Sequence, residues 1–303
     1  MPPTRAPLDA NRWHFQHGPI DLVIGAEGDA SAVAAAHRAA WRRFQRVLDE
    51  LVAELPLLRL AVCAAGACPV QGDVARAMWQ ACRPFAAGFI TPMAAVAGAV
   101  ADAIVTAYQR DGIERAWVNN GGDIALHLGP AAALRVGVVA GAHPRALAPD
   151  GRLLTDGRFT VTAADPVRGV ATSGWRGRSF SLGIADSVTV LARTAAEADA
   201  AATVVANAVN VDDPRVRRQP ASSLKDDSDL GTLAVTVGVP PLDAAARQAA
   251  LAAGLGRAEA LRQKGLIWHA LLTCQGSVAS TGGEPAGAWP PLAQNADIGS
   301  VLA

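Results

Sequence analysis

Across 303 residues the chain carries 27 basic and 27 acidic side chains, giving a formal net charge of +0 and a pI of about 7.0. That balance gives no electrostatic footprint for a nucleic-acid partner and no basic face for a membrane surface. Hydrophobic residues make up 51% and mean hydropathy is +0.21, yet polar residues interrupt every apolar run before the roughly 18 residues of a membrane span.

Residues 12–25 read as two strands around the Gly18-Pro19 turn, and residues 30–55 as an amphipathic surface helix. A short helix is expected over 73–83, a loop over 84–92 and one long Ala/Val-rich helix over 93–110. A strand ending near Val118, the turn Asn119-Asn120-Gly121-Gly122 and a strand over 123–128 form the next unit. Further strands are expected at 134–140, 158–163, 168–173 and 181–192, followed by a helix at 196–210. Residues 212–230 read as an exposed loop or irregular insertion, and a strand at 232–238, a helix at 242–264 and a strand at 266–274 follow. The alternation lacks strict β-α-β repetition. It predicts one α/β (α+β) domain over residues 1–275, a mixed sheet with packed helices, and then a flexible tail over 276–303.

Cys63, Cys68, Cys82 and Cys274 have neither C-x-x-C pairing nor a nearby His at ligand spacing, so buried reduced thiols are expected in place of zinc. The first residues lack the apolar core of a secretion signal, which makes a cytoplasmic protein the expectation. His127 alternates with apolar neighbours, as a core or edge histidine does. No G-x-G-x-x-G follows a strand and no phosphate-binding G-x-x-x-x-G-K-[ST] occurs.

The helix over 196–210 is almost wholly Ala and Val, yet Asp199, Thr203, Asn207 and Asn210 recur at spacings of four, four and three and share one stripe. Such a stripe faces water, meets backbone groups or holds a ligand, because burial without partners costs a few kcal/mol per group. Asp102 and Thr106 repeat the D-A-x-x-T spacing on the earlier helix, through internal duplication or coincidence. The turn Asn120-Gly121-Gly122-Asp123 and the stretch Thr172-Ser173-Gly174 offer glycine backbone and polar side chains for a ligand pocket, and Arg176 and Arg178 suit a phosphate or carboxylate. Each also reads as an ordinary polar turn.

Taken in order, N-N-G-G-D-I, T-S-G, S-V-T-V-L-A and A-D-A-A-A-T resemble the ApbE-type flavin transferases over about residues 90 to 210. The resemblance implies a T-fold-like architecture and a Mg²⁺-dependent transfer of the FMN part of FAD to a protein hydroxyl. It assigns Asp199 and Thr203 as metal ligands, with a backbone carbonyl near Val96 completing the set, while the pocket read above between Asn120 to Asp123 and Thr172 to Gly174 is where the ligand is expected. Two departures stand out. A-A-V-A-G-A-V-A-D lacks the family's lysine, and R-S-F-S-L-G-I-A-D replaces its H-I-[IL]-[DN]-P segment. The chain is therefore most similar to an ApbE-related branch sharing G-I-A-D-[AS]-V-T-V. That resemblance implies a metal-dependent enzyme acting on FAD or a related nucleotide or pterin ligand, with weak or absent FMN transfer. The alternative is a non-catalytic binding or assembly protein of one-carbon, methanopterin-type cofactor metabolism. Its catalytic residues stay unassigned, its partner is a small nucleotide-like molecule, and its Ala/Val-rich helix faces suit a homodimer.

Overall fold

The alternation of side chains along each strand sets the layering, in a computed structural model that describes residues 2–9, 11–138, 157–282 and 299–302. Strands β1 (Thr4–Pro7), β2 (Arg12–His17) and β3 (Ile20–Gly28) lead into α1 (Ala30–Ala53) and the single-turn α2 (Leu55–Leu58). Next come α3 (Asp73–Cys82) and α4 (Val96–Val105). β4 (Ile113–Asn120), β5 (Asp123–Leu128), β6 (Ala133–Val138), β7 (Gly157–Thr162), β8 (Gly169–Ser173) and β9 (Ser187–Ala192) precede α5 (Ala195–Ala208). The order finishes with β10 (Arg217–Pro220), the single-turn α6 (Ala221–Leu224), β11 (Ala234–Gly238), α7 (Ala244–Gln263), β12 (His269–Cys274), β13 (Ser277–Ser280) and β14 (Gly299–Leu302).

Nine strands form the main sheet in the order β1-β2-β3-β4-β5-β8-β9-β12-β13, and every pairing in it is antiparallel. Ala116, Val118, Ala125, Val188 and Val190 pack into one core with the buried faces of α1, α3, α4, α5 and α7. Their neighbours Trp117, Ile124, Leu126 and Leu191 point to the other face and pack with Leu134, Val136, Phe159 and Val161 of the small sheet β14-β6-β7. The result is an α+β layering of helices, large sheet and small sheet, both faces of the large sheet being apolar at alternate positions. Mixed pairing is confined to the small sheet, where β14 runs parallel to β6 and β7 antiparallel to it. Helix starts follow local chemistry: Asp29 accepts from the amides of Ser31 and Ala32 at α1, Thr194 from Glu197 at α5, and Asp243 from Ala246 at α7.

Several expectations change. The helix expected over 93–110 is broken into a 3-10 turn at Pro92–Ala95, α4, and a second 3-10 turn at Thr106–Tyr108, because Ala95 takes a non-helical φ of −127° and ψ of 13°. The strand expected at 181–192 begins only at Ser187. Upstream backbone donors are committed elsewhere, Ile184 to Val209 O and Asp186 to Thr273 O. The insertion over 212–230 contains β10 and α6, and β10 pairs with β11. The segment expected as a flexible tail from 276 supplies β13, joined to β12 through a two-residue turn in which Gln275 and Gly276 both have positive φ. Its last described strand, β14, adds to β6. Residues 283–298 of that tail lie outside the described residues. Of the four free thiols only Cys82 and Cys274 are buried. Cys63 is exposed and Cys68 half-buried on the loop between α2 and α3.

Candidate functional site

The break at Ala95 turns residues that a continuous helix would have buried in its middle into a helix N-terminus, with first-turn amides free to bond outward. Gly98, in that first turn, donates its amide to Asp199 Oδ2 of α5 at 3.0 Å. The reverse arrangement holds at the start of α5, where the amides of Ala195 and Ala196 donate to the two carboxylate oxygens of Asp102 of α4 at 3.0 and 2.9 Å. Each helix thus caps the other. The crossing is close enough to require Gly98, because a Cβ there would lie 2.2 Å from the Ala195 carbonyl oxygen.

Asp123, the first residue of β5, faces the same junction and accepts from the Thr172 amide at 3.1 Å. Asn120, its cross-strand partner, donates from Nδ2 to the Ala97 carbonyl at 3.1 Å. Between them Gly121 and Gly122, at φ of 68° and 115°, make the two-residue turn, closed by the Gly122 amide donating to Asn119 Oδ1 at 2.8 Å. Burial raises the carboxyl pKa of Asp199 well above the usual range, and the nearby Asp123 charge raises it further, against the amides of Gly98 and Ala97. Burial also raises Asp123, partly offset by the Thr172 amide and the Arg178 guanidinium. Asp102 is pushed up to about 6, chiefly by burial. Desolvated acids this close share protons or a cation.

Thr203 lies one turn beyond Asp199, half-buried and with no hydrogen bond to its hydroxyl among the described residues, and Val96 opens α4 two residues before Gly98. The rest of the polar stripe meets protein. Asn207 accepts from the Leu182 amide at 2.8 Å, and Asn210 accepts from Arg218 at 2.7 Å. Thr106 is exposed and bonds the Ala103 carbonyl, so only the aspartates of the two D-A-x-x-T segments play matching parts. Of the remaining sequence candidates, Thr172 also pairs its hydroxyl with Thr189 at 2.9 Å, and Ser173 is half-buried at the end of β8. Gly174 packs on backbone, a Cβ there meeting the Asp186 carbonyl at 2.3 Å. Arg176 is paired with Asp186 at 2.8 Å.

Sequence reasoning missed the wall beside α4. The Thr91 hydroxyl donates to Asp229 at 2.5 Å and its carbonyl accepts from the Cys82 thiol. Burial and then the charges of Asp199 and Asp229 push that thiol's pKa up, which places both carboxylates around it. No local signal joins Asp229 to Thr91, 138 residues away. Among the described residues no three His, Cys, Asp or Glu side chains form a metal-binding group.

Comparison with known proteins adds a family. A family model described as AbpE bacteria matches residues 5–280. A UPF0280 protein of Methanopyrus kandleri is 35% identical over 220 residues, covering 72% of this chain and 83% of the relative. Another UPF0280 protein, from Methanospirillum hungatei, is 39% identical over 142 residues, or 46% of this chain and 51% of the relative. The flavin transferase ApbE from Vibrio cholerae aligns over 92% of this chain and 95% of its own, with 14% identity and a TM-score of 0.34.

Proposed function

The chain belongs to the AbpE bacteria family, and we propose that the junction of α4 and α5 binds a divalent cation together with FAD or a related nucleotide or pterin ligand. The observation that carries this reading is the convergence of two desolvated carboxyls on one junction, Asp199 bonded to the Gly98 amide of α4 and the buried Asp123 bonded to the Thr172 amide, with burial raising both pKa values. A cation relieves their repulsion where protons otherwise must. The donor chemistry fits Mg²⁺, which takes oxygen ligands and keeps waters that a phosphate can replace. Asp199 and Thr203 supply side-chain oxygens from one helix face, and Val96 supplies a backbone carbonyl. When bound, such an ion neutralises diphosphate charge and polarises a phosphoryl oxygen. Asn120 to Asp123 and Thr172 to Gly174 line the nucleotide side of this reading.

A second reading rests on the reciprocal caps. Asp102 and Asp199 already satisfy first-turn amides of α5 and α4, an arrangement that holds two helices together without any ion. It describes a binding or assembly protein that keeps the fold and lacks transfer chemistry. Calorimetric titration with Mn²⁺ and Mg²⁺, with and without nucleotide, tests the first reading: Asp199→Asn is expected to lose cation binding while remaining folded. Equal affinity in wild type and variant makes Asp199 purely structural. Release of adenylate from FAD then separates enzyme from binding protein.

A further inference from the structure

Of the two arginines in the loop between β8 and β9, only one is committed. Arg176 pairs with Asp186 and lies over the Trp175 ring, its guanidinium carbon 5.2 Å from the ring centroid. Arg178 is exposed and makes no hydrogen bond or ion pair among the described residues. Its guanidinium nevertheless has a defined place. It rests over the glycine turn between β4 and β5, so that a Cβ on Gly121 would lie 1.8 Å from Nη2 and 2.9 Å from the guanidinium carbon. The turn needs Gly121 for its φ of 68°, and the absence of a side chain there leaves room for the guanidinium to rest on it.

The turn beneath Arg178 is tied to the α4–α5 junction, because Asn120 donates to the Ala97 carbonyl and Gly98, next in α4, donates to Asp199. The guanidinium therefore lies on the glycine-turn side of this junction, with the proposed cation on the Asp199 side. An anion bridging that cation would bring its far oxygens toward a guanidinium whose donors are unused among the described residues. A planar fork of N–H groups matches phosphate oxygens in pairs and makes charge-assisted bonds.

We propose that Arg178 is the anion-recognising residue of this site and that the group it takes is the diphosphate of a dinucleotide or nucleoside diphosphate. The proposal rests on the cation-and-nucleotide reading above and assigns Arg178 a role that Arg176 does not share. A guanidinium that served only to neutralise Asp123 would affect stability and leave anion affinity alone.

The test titrates the full chain calorimetrically, first with Mn²⁺ alone and then with inorganic pyrophosphate, ADP and FAD in its presence. Arg178→Gln is expected to weaken pyrophosphate at least tenfold without weakening Mn²⁺ binding, and Arg178→Lys to retain part of the pyrophosphate affinity. Arg176→Gln is expected to lower the melting temperature and keep wild-type pyrophosphate affinity. A loss shared by ADP and FAD supports a common diphosphate site, and a loss in only one of them names the source. Wild-type affinity for all three anions in both Arg178 variants overturns the proposal while leaving the Asp199 reading intact. If wild type binds no Mn²⁺, the cation reading fails separately, and Arg178 is judged by pyrophosphate without metal. There, Arg178-dependent binding sustains the proposal and absence of binding overturns it.

Discussion

Replacing Gly98 by alanine puts one methyl group into the crossing of α4 and α5, and the structure fixes what that methyl meets. Its carbon would stand 2.2 Å from the Ala195 carbonyl oxygen, 2.4 Å from the carbonyl carbon and 2.7 Å from the Ala196 nitrogen. Carbon and carbonyl oxygen settle at about 3.3–3.6 Å, so the helices must part by roughly 1 Å. No flexible side chain is available to yield, since the three nearest atoms are all backbone. Overpacking of this kind costs about 1–3 kcal/mol. The same displacement stretches the Gly98–Asp199 and Ala195–Asp102 bonds, now 3.0 Å each, and such hydrogen bonds contribute about 0.5–1.5 kcal/mol apiece. Alanine regains ~1 kcal/mol of helix propensity. The expected net loss is about 3 kcal/mol, or roughly 5 °C in melting temperature for a chain of this size. Gly256→Ala is the control. Gly256 lies inside α7, where a Cβ meets nothing within 4 Å, so the propensity gain alone is expected, about 0.5–1 kcal/mol of stabilisation. Urea unfolding of the three proteins measures both values, and a Gly98→Ala variant as stable as wild type refutes the reciprocal-capping geometry.

Four further outcomes are expected. His37 is buried neutral against the Tyr108 hydroxyl at 2.7 Å, and burial lowers its pKa from 6.5 to about 4. The unfolded chain therefore binds the extra proton first. Stability should fall by about 3 kcal/mol as pH drops from 6.5 to 4, a slope that His37→Gln should remove in denaturation curves taken across that range. Asp102 has the opposite sign: its pKa rises from 3.8 to about 6, so the folded state holds the proton longer. Its contribution should decline as pH climbs through that window, and Asp102→Asn should lack this dependence in the same measurement. Gly122→Val forces a β-branched residue to a φ of 115°, which should cost about 1–3 kcal/mol and abolish nucleotide binding. Unchanged affinity in a folded variant excludes the turn from the site. Deleting residues 277–303 removes β13 and the Thr281 hydroxyl that accepts from the Ala270 amide at 3.0 Å, so the melting temperature should fall by several degrees. An unchanged melting temperature shows that β13 contributes nothing to stability.

Much of this protein is set by residues close together in sequence. Aspartate or threonine before α1, α5 and α7 places those helix starts, and the Gly121-Gly122 pair places the β4–β5 hairpin, because caps and tight turns are satisfied within three or four residues. The stripe on α5 marked Asp199 as an acid that required a partner, and apolar spacing along α1 marked its buried face. Local pattern could not show the break at Ala95, since Ala- and Val-rich residues continue on both sides of it. Nor could it choose between water, backbone and ligand for the stripe. Those outcomes depend on groups far apart in the chain: Gly98 meets Asp199 across 101 residues and Ala195 meets Asp102 across 93. Neither carboxylate has a reason to leave water until the other helix presents its unpaired amides. Arg178 likewise becomes distinct from Arg176 only when Asp186 captures one guanidinium and the Gly121 turn leaves room for the other. Sequence alone therefore determined the starts of α1, α5 and α7, the β4–β5 turn and the residue types available to a site. The tertiary structure decided which of them meet, because buried charge is tolerated only where distant backbone and side chains converge to balance it.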